Sequence, residues 1–314
     1  MEAHLPEVEQ RDDLSIERIT LYNQSGRYAE AKELIAARNF HPWEGGEGKI
    51  TGQYVLCRVE LAKIALSEKR YADALVLLDE TDAYPFNLGE GKLANAEEND
   101  IWYYKGEAFR GLGNEQQAID CFTKATIGSS EPQQAFFYND QQPDKIFYQG
   151  LAWRALGRED KARSCFNKLI KHGEKHLFDH CRIDYFAVSL PDLAIWEDDL
   201  DKRNCIHCNY VMGLGYLGLR EMGKAIDFWI RCENWTLTIK VDKSIVICVL
   251  YEKKEFFPFV GNIVSVHFCT GTMLSVYELS SPNGQLVLTV ENGRVLQYSL
   301  SLKVGLSFIP LLFV

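Results

Sequence analysis

Five similar segments recur along the chain at almost constant spacing, and this period constrains the fold more than any other feature. The segments are GRYAEAKELI, KRYADALVLL, GNEQQAIDCF, GREDKARSCF and REMGKAIDFW, and each has an alanine at the same position: Ala31, Ala74, Ala118, Ala162 and Ala225. Consecutive alanines lie 43, 44, 44 and 63 residues apart. A fixed period in this range is typical of a solenoid, in which each unit buries its apolar face against the next.

The spacing of glycines and aromatic residues around these alanines matches the tetratricopeptide pattern. The matching residues are Trp102, Gly106, Phe109, Phe122 and Ala125 in the third unit, Gly150, Trp153 and Phe166 in the fourth, Gly213, Tyr216 and Trp229 in the fifth, and Tyr28 and Tyr71 in the first two. Small residues let two antiparallel helices approach closely, while aromatic rings fill the space between neighbouring pairs. The sequence therefore predicts a mainly α fold, a tetratricopeptide-like right-handed α-solenoid over residues 12–232 with long loops between repeats.

One loop is repeated together with the helices. HPWEGGEGK (41–49) and YPFNLGEGK (84–92) share a proline, a large aromatic residue and Gly-Glu-Gly-Lys at identical spacing, and longer loops at 127–144 and 176–204 replace them later. Insertions at one edge of a solenoid commonly build a binding rim. The candidate binding residues of this rim are Trp43, Glu44, Glu47, Phe86, Glu90, Phe137, Tyr138, Trp196 and Glu197.

Two interpretations of these loop aromatics fit the sequence. Aromatic rings beside acids and amides suit a sugar, which offers an apolar face and hydroxyl edges. Alternatively, Trp43 and Phe86 are anchors that pack against the next repeat, and Gly-Glu-Gly caps the helix that follows. Repetition shows that the loop belongs to the repeat unit, and it leaves binding open.

Charge, cysteine content and the N-terminal sequence limit the classes of partner and the cellular compartment that we expect for this chain. The net charge is -10, and all of the excess lies in residues 1–232, because the six acids from Glu233 onward are balanced by six bases. An acidic domain without a basic stripe is a poor ligand for nucleic acid. The nine cysteines are scattered and odd in number, which does not suit a disulfide framework. MEAHLPEVEQRDD lacks the apolar core of a signal peptide, so we expect a cytoplasmic protein.

After Cys232 the sequence changes character. WTLTIKV, SIVICVL, NIVSVHF, QLVLTV and VLQYSLSL are rich in β-branched residues and are separated by turns such as SPNGQ and ENGR. Residues 233–314 are therefore predicted to form a small β-rich tail after a helical domain at 1–232. Within 253–276, two lysines precede the uncharged stretch 256–276, which fits either a signal-like or membrane segment or ordinary buried strands.

Two stretches of sequence carry family resemblances. HPWEGGEGKITGQY, DYFAVSLPD and KRNCIHCNYVMGLGYLGL resemble the C-terminal helical part of a family of large bacterial proteins, in which a tetratricopeptide solenoid follows a β-rich region. That resemblance implies a cytoplasmic or peripheral protein from a carbohydrate-using bacterium, and it gives no catalytic residues. VYELSSPNGQLVLTVENGRVLQYSLSLKVG (276–305) resembles the first strands of the N-terminal β-sandwich of family-97 glycoside hydrolases. We expect that family's catalytic barrel, with its carboxylates and calcium ligands, to be missing.

Metal and catalytic constellations are sparse. His172, His176 and His180 recur every four residues, and Cys205-Ile-His-Cys208 follows. The weak ligand candidates are His176, His180, Cys205 and Cys208, but a single CxxC without a second ligand pair does not indicate zinc. Cys208 is expected to begin the helix that carries Gly213, and WEDDL to be an acidic helix start. No phosphate loop, nucleophile elbow or dinucleotide fingerprint occurs, so we expect no cofactor and no catalytic residue.

Three functional hypotheses remain open at this stage. The first is a non-catalytic module whose helical surface binds a protein or peptide. The second is a carbohydrate-binding or carbohydrate-processing fragment of a bacterial glycan-utilisation system. The third is a junction of a helical C-terminus with the start of a neighbouring hydrolase gene, without function as a unit; its terminal GLSFIPLLFV would then be an exposed apolar tail.

Overall fold

A computed structural model describes residues 4–43, 45–129, 131–133, 142–181 and 199–233, together with the backbone of four strands between 275 and 311. The chain divides into two compact units, Met1–Val241 and Asp242–Val314. The first unit contains the helices and the second contains the strands. No helix in the described part of the chain is both long and apolar enough to cross a membrane.

The described helices follow one another as antiparallel pairs joined by long linkers. Their bounds are α1 Leu5–Gln10, α2 Asp12–Gln24, α3 Tyr28–Ala36, α4 Lys49–Ser67, α5 Tyr71–Asp79, α6 Asn99–Gly111, α7 Glu115–Ala125, α8 Pro143–Ala155, α9 Glu159–His176, α10 Leu200–Gly218 and α11 Met222–Glu233, with a short 3-10 turn at Phe86–Leu88. The pairs are α2–α3, α4–α5, α6–α7, α8–α9 and α10–α11, and we call the first helix of each pair the A helix and the second the B helix. Consecutive A helices pack side by side from α2 to α10. The tetratricopeptide-like solenoid is therefore confirmed.

The five aligned alanines explain the regularity of the pairs. Each lies on a B helix and is completely buried: Ala31, Ala74, Ala118, Ala162 and Ala225. The small methyl group at this point lets the A and B helices approach closely. A larger side chain would force the two helices apart, since a close-packed interior tolerates little extra volume.

Every pair is closed by the same three-residue turn. The residue in the middle of the turn adopts a left-handed backbone: Gly26, Gly113 and Gly157, but also Lys69 at φ 61° and Arg220 at φ 65°. In the third pair, Gly113 N–H donates to the Arg110 carbonyl at 3.0 Å and Asn114 N–H to the Phe109 carbonyl at 2.9 Å. This pattern of two hydrogen bonds is the Schellman motif, which satisfies the free carbonyls at a helix C-terminus. The other four turns make the equivalent two bonds.

Glycine on the A helix matches a large ring on the B helix of the same pair. A Cβ placed on Gly106 would lie 2.5 Å from the Phe122 ring, and one on Gly150 would lie 2.4 Å from the Phe166 ring. The fifth pair repeats this with Gly213 and Trp229. The second pair instead has alanine and leucine at these positions, and both Ala62 and Leu78 are completely buried. In these pairs a smaller residue on the A helix is therefore matched by a larger side chain on the B helix.

Two arginines bridge successive pairs. Arg110 lies over the Phe122 ring of its own pair, at 4.4 Å from the ring centroid, and donates to the Ala155 carbonyl of the next A helix at 3.1 Å. Arg154, 44 residues later, repeats this by donating to the Gly218 carbonyl at 2.8 Å. Each arginine thus places a positive charge at the negative end of the next A helix. Neither bridge follows from the sequence pattern alone.

The second unit contains a four-stranded antiparallel sheet in the order β1-β2-β3-β4. The strands are β1 Ser275–Ser280, β2 Leu286–Asn292, β3 Leu296–Val304 and β4 Ser307–Leu311. The register aligns Leu279, Leu288, Leu300 and Leu311 in one row across the sheet. The predicted strands QLVLTV and VLQYSLSL are confirmed. Residues 307–311 of GLSFIPLLFV pair with β3, and the expectation that this segment is an exposed apolar tail stays a prediction. Most of the stretch 256–276 and the earlier predicted strands lie outside the described residues.

The start of the fifth pair corrects one expectation and confirms another. Helix α10 begins at Leu200 rather than at Cys208, because Asp199 accepts a hydrogen bond from the Lys202 N–H and so caps the helix eight residues earlier. Cys208 consequently lies in the middle of the helix and is completely buried. Asp199, the acidic residue of WEDDL that is described, stands at a helix N-terminus, as predicted.

Candidate functional site

The two copies of the repeated loop contact each other, and the first of them is anchored by its tryptophan. Trp43 is partly buried and packs against the core of the first helical pair. A Cβ added to Gly46 would lie 2.2 Å from the Trp43 ring, so the loop backbone rests directly on the ring. This contact favours the interpretation of Trp43 as a loop anchor.

The glutamates of the two loops hold backbone N–H groups. Glu47 accepts from the Gly45 N–H at 2.8 Å, and Glu90 accepts from the Gly48 N–H at 2.9 Å across 42 residues of sequence. Gly48 is also the N-cap of α4, in a left-handed conformation. Burial raises the pKa of Glu90 above its ordinary value. The second loop therefore closes the N-terminus of the helix that follows the first loop.

Phe86 differs from Trp43, because its side chain is fully exposed. Its neighbour Asn87 donates to the Ile35 carbonyl and to the Arg38 carbonyl, both at 2.8 Å. The Asn87 carbonyl in turn accepts from the Phe40 N–H at 2.7 Å. The Asn87 amide, next to the exposed Phe86 ring, therefore already binds backbone carbonyls at the end of α3. The remaining rim candidates Glu44, Phe137, Tyr138, Trp196 and Glu197 lie outside the described residues.

The metal-ligand candidates are engaged elsewhere. His176 Nδ1 lies 2.6 Å from Asp179 Oδ2, and His180 Nδ1 lies 2.7 Å from Asp201 Oδ2. Burial raises the pKa of the Cys208 thiol to about 12 and also raises the pKa of Cys205, which disfavours the thiolate form of both. Within the described residues, no three His, Cys, Asp or Glu side chains are placed to hold a metal ion together.

The layer of A helices is the other candidate surface. Its helices are joined by side chains such as Tyr104 and Tyr148, whose hydroxyl oxygens lie 2.8 Å apart. Each residue that precedes an aligned alanine by eleven positions falls at the same place on its A helix. In the first four pairs these residues are partly exposed, and they form what we call the A-helix row: Thr20, Lys63, Glu107 and Leu151. The period of the alanines could have located this row. The binding residues were instead predicted in the linkers, because a loop motif is repeated there.

These features define the helical unit as a tetratricopeptide-like solenoid. Sequence models of the tetratricopeptide repeat match residues 100–126 and 146–172, which are parts of the third and fourth pairs.

Among solved structures, two of MamA are similar at 16% identity. One similarity covers 62% of this chain and 95% of that chain with a TM-score of 0.23, and the other covers 80% and 97% with a TM-score of 0.25. A single-residue variant of the nearly identical TPR-like repeats of a Podosopora anserina putative kinesin light chain is similar at 13% identity. That similarity covers 70% of this chain and 92% of that chain, with a TM-score of 0.31.

Proposed function

We propose that the protein is a non-catalytic interaction module that binds a protein or peptide partner on its layer of A helices. The observation that carries this proposal is the continuous packing of five A helices from α2 to α10. Solenoids of this kind present extended surfaces on which a partner contacts several repeats at once. Matches to the tetratricopeptide repeat in the third and fourth pairs support the same class of function.

The chemistry of the A-helix row suggests what such a partner offers. The row runs from Thr20 through Lys63 and Glu107 to Leu151, so it changes from polar through charged to apolar. Lys63 already lies 2.9 Å from Glu60, and Glu107 lies 3.1 Å from Arg110. A partner with one apolar end and a mixed polar remainder fits this order better than a uniformly charged one.

Photo-crosslinking tests this assignment directly. A photoreactive amino acid placed at Glu107 or Leu151 should cross-link to one discrete partner in cells that express the full chain. Gln117 and Val76, which are exposed on B helices, are matched control positions and should not cross-link to it. Cross-linking from the control positions but not from the A-helix row would refute the proposed surface.

A glycan is the second candidate ligand, and one observation favours it. Phe86 presents a fully exposed ring at the edge of the solenoid, which can stack on the apolar face of a sugar. Against this, Asn87, Glu47 and Glu90 already hold backbone groups. Loss of glycan binding in Phe86→Ala, with binding retained in Val76→Ala, would support this candidate. Failure of the intact protein to bind any glycan of a broad panel would eliminate it.

A further inference from the structure

Three histidine rings meet where the fifth helical pair packs on the fourth. His172 and His176 lie one turn apart on α9, with ring centroids separated by 4.6 Å. His207 comes from α10, and its centroid lies 6.4 Å from that of His172 in an edge-on arrangement. We call these three residues the histidine cluster. Like charges this close repel one another strongly, so the cluster is stable only while most of its rings are neutral.

One ring of the cluster is paired with a carboxylate, whereas burial outweighs the favourable contacts of the other two. His176 Nδ1 faces the Asp179 carboxylate at 2.6 Å. His172 Nε2 is buried without a hydrogen-bond partner, while Lys175 disfavours its positive charge and the more distant Asp179 and Glu131 favour it. His207 Nε2 lies 2.8 Å from the carbonyl oxygen of Gln133.

His207 also connects α10 to the linker that follows α7. Its bond to the Gln133 carbonyl holds residues 131–133 against α10, and Lys168 of α9 holds the same segment through Glu131 at 2.9 Å. Glu131 is therefore already paired with Lys168. It leaves His172 and His207 without a carboxylate of their own in the described residues.

The helix backbones beside the cluster are in direct contact. A Cβ on Gly173 would lie 2.7 Å from the Cys208 carbonyl oxygen, and a Cβ on Gly215 would lie 2.7 Å from the Phe166 carbonyl oxygen. Helices this close leave little room for the water that would solvate a new charge between them. Burial of an unsolvated charge is costly, so protonation favours separation of the helices.

We propose that the joint between α9 and α10 is an acid-sensitive switch, in which protonation of the histidine cluster releases the fifth helical pair from the fourth pair. At neutral pH the A-helix layer is then continuous from α2 to α10. In acid it ends at α8 in a larger fraction of the molecules. A partner that spans the last two pairs would dissociate as the pH falls.

The pH window follows from the direction of the pKa shifts. Burial lowers the pKa of His172 below its ordinary value, and it lowers the pKa of His207 to about 4. In the opened state each histidine returns toward its ordinary pKa of about 6.5. Both states are neutral above that value, so the closed joint is fully stable there. As the pH falls below it, only the opened state binds protons, and stability is lost progressively down to about pH 4.

Hydrogen exchange with mass spectrometry on the full chain tests the switch. After correction for the intrinsic rate, the equilibrium constant for opening α10 should rise by more than about tenfold from pH 7.5 to pH 5. Peptides from α4 and α5, which contain no histidine, should keep their protection over the same range. Equal loss of protection in α4 and α10, or no loss in α10, would overturn the proposal.

Variants assign the effect to individual rings. His207→Gln retains a donor for the Gln133 carbonyl but cannot be protonated, so α10 should keep more of its protection at pH 5 than in the unmodified chain. His172→Gln should reduce the pH dependence in the same direction and serves if the first variant folds poorly. His41→Gln, at a site whose side chain is 82% exposed, should leave the pH dependence unchanged. If both cluster variants keep the full pH dependence, the histidines do not form the switch.

Discussion

Replacement of Gly106 by alanine adds one methyl group at the point where α6 and α7 are closest. The added Cβ would lie 2.5, 2.7 and 2.9 Å from three atoms of the Phe122 ring. Carbon atoms in contact normally stay about 3.5–4.0 Å apart. The substitution is therefore expected to destabilise the third helical pair, although alanine is the better helix former.

The expected magnitude is a difference between two terms. Phe122 is completely buried and is enclosed by Ala118, Ala125 and Ala152, so the ring cannot move away without displacing its neighbours. Extra volume in such a core costs about 1–3 kcal/mol. Alanine recovers up to about 1 kcal/mol of helix propensity. Because the ring is enclosed on every side, we expect a net loss of about 1–2 kcal/mol in the free energy of unfolding.

Gly52→Ala is the matched control for this experiment. Gly52 lies within α4, and no atom lies within 4 Å of a Cβ placed there. Its replacement should therefore raise the free energy of unfolding by up to about 1 kcal/mol through helix propensity alone. Denaturant unfolding followed by far-ultraviolet circular dichroism measures both variants, with the midpoint read at constant slope.

A compensating variant tests the reasoning itself. Gly106→Ala combined with Phe122→Leu reproduces the side chains that the second pair carries at Ala62 and Leu78. The smaller leucine makes room for the new methyl group, so the double variant should be more stable than the sum of the single effects by about 1–2 kcal/mol. If Gly106→Ala stabilises the chain as much as Gly52→Ala, or if the two third-pair substitutions are additive, volume compensation does not govern the pairs.

Three further predictions concern the turns, the bridges and the tail. Lys69→Gly relieves a left-handed backbone at φ 61° and should raise the free energy of unfolding by up to about 1 kcal/mol in thermal unfolding; a loss of stability would contradict the strain. Arg154→Leu leaves the Gly218 carbonyl without its 2.8 Å donor and should cost about 1–2 kcal/mol, whereas Arg163→Leu, at a largely exposed site, should cost almost nothing; equal costs would show that the bridge adds no stability. Limited proteolysis with mass spectrometry should cut the chain within residues 233–260 and leave a helical core, and a resistant full-length species would contradict this boundary.

Much of the fold could be predicted because the repeat signal is local. The alanines, and the glycines twelve positions before three of them, determine the helix pairs through steric limits that act within one unit. The turns could be predicted only in part, because a glycine such as Gly113 indicates a left-handed backbone, whereas Lys69 and Arg220 do not. The start of α10 was misplaced, because its position depends on the Asp199 cap rather than on the apolar period.

The loops were harder to interpret, because their contacts join residues far apart in sequence. Nothing in HPWEGGEGK indicates that Gly48 donates to Glu90 of the next copy, 42 residues away. The same holds for the contact of His207 with Gln133 over 74 residues. Trp43 and Phe86 are both large aromatic residues, so the sequence did not distinguish their roles. In the structure Trp43 is a partly buried anchor, whereas the Phe86 ring is exposed.

In each arginine bridge, the donor is synthesised before the helix that carries its acceptor. Arg110 and Arg154 each belong to a pair that leaves the ribosome before the helix whose carbonyl they hold. Each completed pair thus presents a charged donor before the helix that carries its acceptor has been synthesised. Because domains fold from the N-terminus during synthesis, a nascent chain that ends after the fourth pair exposes Arg154 without its acceptor. A chain that has released α10 has that acceptor in place.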